Sequence, residues 1–480
     1  MPKFVLLWTD AAIWLMAAAL VLYVWRVLKA PERAARWGRV FRDGAALASS
    51  IVLLLGLAVT LLDSVHYRAR LPALDASAPP AYEARTRSVL DAVLADLVAG
   101  RESTYSVPLA TVGFTKESQL DGGEVRRVAP RLQFGGAHLA DPAREHLPDL
   151  LKRASWGLAG GLLGGALVCT LLVGAIARAR RATLAATWGR IRERQGAVPW
   201  HVALITLMVI GLLAGPATAL SGPYHLLGTD LTGNDVLYQC LKSIRTAFVI
   251  GSLATLATLP LAVGLGLVAG YFRGWVDEAI QYLYTVLSSV PNVLLIAALV
   301  LMVQVFLDQH PELFETGAER ADLKLFMLCL VLGLTGWATL ARLLRAETLK
   351  LRELEYVQAA TAFGIGHGRI LARHVFPNVA HLMLIVTVLE FSSLVLYEAV
   401  LSYVGVGVDP SMNSFGSMIN LARVEMSRDP MVWWGFASAF GFMVALVLAA
   451  NLFADGVRDA FDPRSRLFRA RRRVAVPRRG

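Results

Sequence analysis

The chain has 480 residues, 56% of them hydrophobic and only 17% charged, with a mean hydropathy of +0.54. Soluble domains rarely combine these values, so composition sets aside an ordinary soluble enzyme or binding module and points to an integral membrane protein. The net charge of +11 sits in short segments between apolar runs and reads as membrane topology; no nucleic-acid partner is expected.

Nine apolar runs approach or exceed the roughly 20 residues a helix needs to cross a bilayer. They lie near 4–25, 44–62, 155–177, 200–221, 246–270, 279–306, 324–341, 379–404 and 432–453. The first is expected to stay in the protein and not to be a cleaved leader. Lys3 is the only basic residue ahead of it, the basic cluster follows it, and Tyr23, Trp25 and Arg26 make a poor cleavage site.

Six Lys/Arg fall in 26–43, six in 178–199, six in 342–374 and nine in 458–479. The loop 307–323 carries Asp308, Glu312, Glu315, Glu319 and Asp322 against Arg320 alone. Short basic loops stay in the cytoplasm. With nine helices, the N-terminus outside and the C-terminus inside, all four basic segments are cytoplasmic together. A hydrophilic insert at about 63–153 then lies outside the membrane.

Within the insert, Pro72, Pro79 and Pro80 mark an irregular entry. Val89, Leu90, Val93, Leu94, Leu97 and Val98 have helical spacing, which predicts an amphipathic helix over 84–98. The stretch 105–139, broken at Gly122-Gly123 and Gly135-Gly136, predicts short strands and turns.

Cys169, Cys240 and Cys329 are scattered, and the nine His are dispersed, so neither a disulfide framework nor a metal site is expected. The sequence has no Gly-x-x-x-x-Gly-Lys-Ser/Thr loop to cradle phosphates and no convincing Ser/His/Asp or zinc-protease signature. Glu390 stands in the middle of the run 379–404, where an ionisable residue is costly and faces a bundle interior or a watery path. It reads either as a site for a peptide ammonium or as a structural hydrogen bond to another helix. Pro260 and Pro291 fall inside apolar runs and predict kinks. Trp8, Trp25, Trp433 and Trp434 read as interfacial anchors.

The most specific segment is 355–378, Glu-Tyr-Val-Gln-Ala-Ala-Thr-Ala-Phe-Gly-Ile-Gly-His-Gly-Arg-Ile-Leu-Ala-Arg-His-Val-Phe-Pro-Asn. It resembles the cytoplasmic coupling loop of ABC importer permeases. Ala359, Ala360, Gly364 and Pro377 fall at the family's spacing, whereas Gln358, His374 and Phe376 replace its Glu, Ile and Leu. Arg373-His374-Val375-Phe376-Pro377-Asn378 is similar to the version found in dipeptide and oligopeptide permeases.

Other segments carry the same resemblance. The run 225–237 resembles the family's Leu-Gly-Thr-Asp…Gly-Arg-Asp-Val-Leu signature, with Asn234 in place of Arg. The run 270–278, Gly-Tyr-Phe-Arg-Gly-Trp-Val-Asp-Glu, resembles Gly-Tyr-(Phe/Tyr)-Gly-Gly-Trp-Val-Asp, so Arg273 stands at a family glycine. Segments 398–407, 414–416 and 455–464 match further motifs.

The resemblance implies an all-α integral membrane protein. It has a six-helix type I permease core at 200–464, a basic cytoplasmic tail at 465–480, and an N-terminal extension at 1–199. The extension comprises three more transmembrane helices, the extracytoplasmic insert and the linker 178–199. Because the motifs begin near residue 200, residues 1–177 read as an accessory module, dispensable for folding of the core.

The resemblance implies a non-catalytic permease subunit of a binding-protein-dependent importer in the bacterial inner membrane. Its expected cargo is di- or oligopeptides; nickel complexes, oligosaccharides and peptide-like antibiotics are the alternatives, and a membrane enzyme or channel is the remaining one. Expected partners are a second homologous permease subunit, two ATP-binding subunits that hold ATP and Mg, an extracytoplasmic solute-binding protein and membrane lipid. No cofactor is expected in this chain.

Three groups of site residues follow. Glu355, Gln358, Ala359, Ala360, Gly364, Gly366 and Pro377 form the coupling loop, in which a short helix with two small alanines sits in a groove of the ATPase and Pro377 restarts the next spanning helix. Gly228, Thr229, Asp230, Gly233 and Asp235 form an extracytoplasmic motif, with Thr229 or Asp230 as a helix cap. Glu390, Glu398 and Pro291 are candidates for the translocation path, Glu398 reading as structural.

Overall fold

The computed structural model of the chain describes residues 2–71, 81–121 and 124–461. The Pro72 to Pro80 entry, Gly122-Gly123, the segment from Asp462 to Arg464 and the basic tail 465–480 lie outside the described residues.

In chain order, strand β1 (Lys3–Val5) precedes α1 (Trp8–Lys29), α2 (Pro31–Val40) and α3 (Gly44–Asp63). The insert contains β2 (His66–Arg68), β3 (Arg87–Ser88), α4 (Val89–Val93), α5 (Ala95–Ala99), β4 (Glu117–Asp121) and β5 (Glu124–Val128). Then come α6 (Pro142–Ala179), α7 (Leu184–Arg192), α8 (Trp200–Ser221), α9 (Val236–Phe272), α10 (Gly274–Ser289) and α11 (Asn292–Gln309). The chain continues through α12 (Gly317–Arg352), α13 (Glu355–Ala362), α14 (His367–Ile370), α15 (Phe376–Val404), α16 (Phe415–Glu425) and α17 (Trp434–Phe461).

Among the described residues, nine helical runs are long and apolar enough to cross a membrane: α1, α3, α6, α8, α9, α11, α12, the run His367–Val404 and α17. In hydrocarbon only a helix or a closed barrel satisfies every backbone group, so long apolar runs fold this way. The protein is helical and multi-pass, as its composition predicts.

Three local expectations are corrected. The run 279–306 is not one helix: α10 stops at Ser289 and α11 starts at Asn292. Pro291, expected inside a helix, is the residue before α11, where its missing N–H costs no helical bond. The helix expected over 84–98 is two short helices. Arg87 and Ser88 pair with β2, and Ser88 then starts α4 through a reciprocal capping box with Asp91. Pro377 stands in the first turn of α15, and a π-helical turn at Leu371–Val375 joins that helix to α14, so the apolar helical run extends back to His367. Ile370, Val375 and Val379 are all buried in one cluster, and that burial holds the segment helical through Pro377.

The chain divides into two compact units, and neither follows the boundary expected at residue 199. Unit 1 comprises Met1–Val5, Phe41–Thr246 and Asn413–Ala449; unit 2 comprises Leu6–Val40, Ala247–Met412 and the chain from Ala450.

In unit 1, β1 pairs antiparallel with β2, and β2 with β3. The first residues of the chain therefore share a sheet with the insert. The closest helix pair is α6 with α8. Gly157, Gly161 and Gly165 on α6 repeat every four residues, and so do Gly211 and Gly215 on α8. A Cβ at Gly157 would lie 2.6 Å from the Gly215 carbonyl oxygen, and one at Gly161 would collide with the Gly211 carbonyl. Small residues at this spacing let two backbones touch in lipid, where no hydrophobic effect drives helices together. The end of α3 is held by charge. Lys242 Nζ lies 2.6 Å from Asp63 Oδ1 and 2.9 Å from Asp91 Oδ1, and Asp63 also accepts from Ser88 at 2.6 Å.

In unit 2, the start of α1 joins α12. The Thr9 N–H donates to Asp322 at 2.9 Å, its hydroxyl donates to the other Asp322 oxygen, and both residues are buried. Trp37 on α2 meets Phe461 at the end of α17 edge to face, with ring centroids 5.3 Å apart. The core gathers Tyr271, Tyr284, Trp337, Leu344, Ile370 and Val379.

Residues of the extension thus cluster into both units, with α3 and α6 in unit 1 and α1 and α2 in unit 2. We expect Gly161→Ile to destabilise the protein by about 2–3 kcal/mol, the cost of overpacking. Gly160→Ile, where no atom lies within 4 Å of an added Cβ, should leave the melting temperature in detergent unchanged. Equal melting temperatures for the two variants would contradict the glycine seam.

Candidate functional site

Three of the segments singled out by sequence form built sites. The first is α13 and its flanks, in unit 2. Leu354 precedes the helix, and Glu355 stands exposed in its first turn, where a carboxylate favours the positive end of the helix. Gln358 is exposed and donates to the Glu353 carbonyl at 3.3 Å. The helix ends in a Schellman motif: the Gly364 N–H donates to the Thr361 carbonyl at 3.0 Å and the Ile365 N–H to the Ala360 carbonyl at 3.1 Å. This requires the left-handed φ of +72° at Gly364, a conformation that costs a residue with a side chain roughly 1–2 kcal/mol. Gly366 precedes His367, and Pro377 lies exposed in the first turn of α15.

The two alanines expected in a partner's groove face opposite ways. Ala360 is 6% exposed and packs with Val357 and Leu344 in the core of its own chain, whereas Ala359 is exposed. The outward face instead carries Phe363, which is 85% exposed, with Leu354 and Tyr356 also exposed nearby. The sequence reading passed over Phe363; the signal was a large aromatic just before the helix-ending glycine.

The helices flanking α13 are braced by the segment 270–277, which spans the end of α9, Arg273 and the start of α10. The Tyr271 hydroxyl shares a 3.0 Å hydrogen bond with His367 Nδ1, and Arg352 donates to the Tyr271 carbonyl at 2.6 Å. Arg345 grips Asp277 with two bonds of 2.5 and 2.6 Å. Arg273 pairs with Glu353 but holds φ at +58° and ψ at −168°, a region that only glycine occupies without strain.

The extracytoplasmic motif, in unit 1, is a loop sealed by the insert. Gly228 and Gly233 have φ of +76° and +77°. The Thr229 hydroxyl accepts from the Ser106 N–H at 2.7 Å and donates to the Thr104 carbonyl at 2.9 Å. Trp434 Nε1 donates to the Thr229 carbonyl at 3.0 Å. Asp230 accepts from the Thr232 and Asn234 N–H groups at 2.8 and 2.9 Å and so closes the turn. The cap of α9 is neither Thr229 nor Asp230. It is Asp235, which accepts from the N–H groups of Leu237 and Tyr238 at 2.8 and 3.1 Å. Thr229 is unavailable because both roles of its hydroxyl are taken by the insert.

Behind this loop lies a buried charged trio. His225 Nδ1 is 2.9 Å from Asp235 and Nε2 is 3.3 Å from Glu102 of the insert. Burial opposes the charge on His225, but its hydrogen bonds to Asp235 and Glu102 outweigh burial and push its pKa up to about 9. Burial also opposes the charge on Glu102. The His225 hydrogen bond and the N–H groups of Gly135, Gln133 and Phe134 hold it down at about 2.

The third segment is a cavity of about 570 Å³ inside unit 2. The break between α10 and α11, with Pro291, forms one wall, α12 from Leu332 to Arg342 another, and α15 from Glu390 to Tyr397 a third. Glu390 and Pro291 thus meet at one place. Glu398 does not line it: it is buried and accepts from the Ser402 hydroxyl at 2.6 Å. Among the described residues, no group of three or more His, Cys, Asp or Glu could hold a metal ion.

Two predictions follow from these geometries. His225 titrates near 6.5 when free and near 9 when folded, so its contribution is full below pH 6.5 and fades as pH rises through 9. Hydrogen-exchange protection of the Ser106 amide should fall over that window in the wild type and be pH-independent there in His225→Asn. Separately, Arg273→Gly should raise stability by about 1 kcal/mol: it relieves backbone strain and loses only an exposed ion pair. An unchanged or lower melting temperature would speak against strain.

Residues 262–467 match the family described as binding-protein-dependent transport system inner membrane component. The oligopeptide transport system permease protein OppC of Mycobacterium bovis is 32% identical over 248 residues, covering 52% of this chain and 79% of that protein. The glutathione transport system permease protein GsiD of Pectobacterium atrosepticum is 29% identical over 320 residues, covering 59% of this chain and 98% of that protein. Among solved structures, an inward-facing MetNI methionine ABC transporter covers 47% of this chain and 96% of its own, at 16% identity and a TM-score of 0.34. The identity to OppC over most of that protein's length is decisive: the chain belongs to the binding-protein-dependent permease family of ABC importers.

Proposed function

We propose that this permease subunit carries short peptides into the cell, driven by an ATPase that docks on the exposed face of α13. As a family member it is a non-catalytic, multi-pass inner-membrane subunit, and ATP hydrolysis lies in separate subunits. The single observation that carries the docking assignment is the rigid presentation of Phe363 beside Ala359. α13 is closed by a Schellman motif, anchored inward by Val357 and Ala360, and offers an aromatic outward. A rigid helix with an exposed aromatic anchor is what an interface hot spot needs. Arg345–Asp277, Arg352–Tyr271 and Tyr271–His367 tie the helices on either side of α13, α12 and α14, to α9 and α10. Motion of the ATPase is thereby passed to the spanning helices as a rigid-body shift.

The assembly we infer has a second, homologous permease chain, two ATP-binding subunits that hold ATP and Mg²⁺, and an extracytoplasmic solute-binding protein. Peptide cargo is supported by relatives whose names specify oligopeptide and glutathione transport. The N-terminus and insert lie outside and the C-terminus inside. The basic segments support this orientation, as does the β1–β2 pairing, which keeps the first residues with the insert.

Phe363→Ala should weaken ATPase binding by about tenfold or more while leaving the permease melting temperature unchanged. Ala360→Asp should act differently: its charge enters the permease's own core and costs about 3–5 kcal/mol of stability. Pull-down of the ATPase together with a melting curve for each variant separates the two. Tight binding by Phe363→Ala would reject the docking face. Reporter fusions at Ser103 and Gly366 should give opposite sidedness, and the same side for both would reject the topology.

A further inference from the structure

The cavity at the α10–α11 break is lined by two ionisable side chains, Glu390 and Arg342, with no ion-pair partner among the described residues. Among the described residues, nothing hydrogen-bonds or ion-pairs with the half-buried Glu390 carboxylate. Arg342 makes a 3.4 Å bond to the Ala338 carbonyl of its own helix and lies over the Tyr284 ring at 5.2 Å, and among the described residues no carboxylate pairs with it. The two do not pair with each other, yet both line the cavity. By contrast, Lys242 pairs with Asp63 and Asp91, and Arg345 with Asp277. Glu390 stands mid-way in an apolar run, where a charge without a partner is expensive and marks a transport path, and Arg342 follows directly on the apolar run 324–341 at its cytoplasmic end. A broken helix lining a cavity near mid-membrane is the usual frame for a substrate site in transporters, because it frees polar groups without exposing them to lipid. Ser289 and Asn292 flank the break here.

We propose that this cavity receives both charged ends of a short peptide in transit, Glu390 taking the α-ammonium and Arg342 the α-carboxylate. The inference rests on the peptide-importer reading above. A zwitterion supplies one countercharge to each side chain and leaves the cavity neutral, which an uncharged oligosaccharide does not do. Its volume falls within the roughly 300–1,000 Å³ typical of small-molecule sites, which limits a peptide occupant to a short one. Arg342, held against Tyr284, presents a fork suited to a carboxylate.

The test uses the complete transporter in proteoliposomes, with its partner subunits and binding protein. Uptake is measured for alanyl-phenylalanine, its N-acetyl derivative and its C-terminal amide. Preference ratios are compared between variants, so that the unchanged selectivity of the binding protein cancels. Glu390→Gln should lower uptake of the free peptide by about tenfold and leave the N-acetyl peptide unaffected, as expected for loss of one charge-assisted contact. Arg342→Gln should do the same with respect to the amide. Glu390→Asp and Arg342→Lys keep the charges and should keep the wild-type preferences. Wild-type ratios in both Gln variants, or equal losses for free and blocked peptides, overturn the assignment. Absence of peptide uptake by the wild-type complex overturns instead the cargo reading on which it rests.

Discussion

In the hydrocarbon of a bilayer, every polar or charged group needs a partner inside the protein, and this constraint orders the whole chain. It makes the spanning segments helical, because a helix bonds its own backbone. It brings α6 and α8 into backbone contact along a glycine seam, because van der Waals packing must replace the hydrophobic effect. It also sorts the ionisable side chains. Lys242, Arg345 and the Thr9–Asp322 pair are matched at helix ends. Glu390 and Arg342 are left over at a cavity, and this contrast gives them meaning.

The same constraint explains how an N-terminal extension becomes part of a permease. Its contacts are of the kinds that hold the family segments themselves: a close helix pair, a buried hydroxyl–carboxylate pair and a charged trio. Thr229 and His225 belong to family-like motifs, and their partners Thr104, Ser106 and Glu102 belong to the insert. On the proposed docking face the logic reverses. α13 buries Val357 and Ala360 and leaves Phe363 outside, a hydrophobic surface that another chain can cover.

Much of this was legible in the sequence. Nine apolar runs, the basic loops and the segment 355–378 led to the helix count, the fold and the family. The failures have physical causes. Hydropathy cannot see a break whose residues are themselves apolar, so Val290-Pro291 vanished into the run 279–306. Two adjacent alanines carry no mark of which faces inward, so Ala360 was assigned to a partner when it belongs to the chain's own core. The capping role of Asp235 depended on the insert occupying Thr229, a contact across more than a hundred residues of sequence. The four-residue glycine spacing at 157, 161, 165, 211 and 215 is present in the sequence, but a small-residue stripe does not by itself say which helix it packs against.

The central claim is that this chain is the membrane path of an ATP-driven importer. Its most direct test is accumulation of a labelled dipeptide in proteoliposomes that contain this chain with its partner subunits and binding protein, with and without ATP. The account predicts accumulation against a gradient that requires both ATP and this chain. Equilibrating flux without ATP, as through a channel, would contradict it.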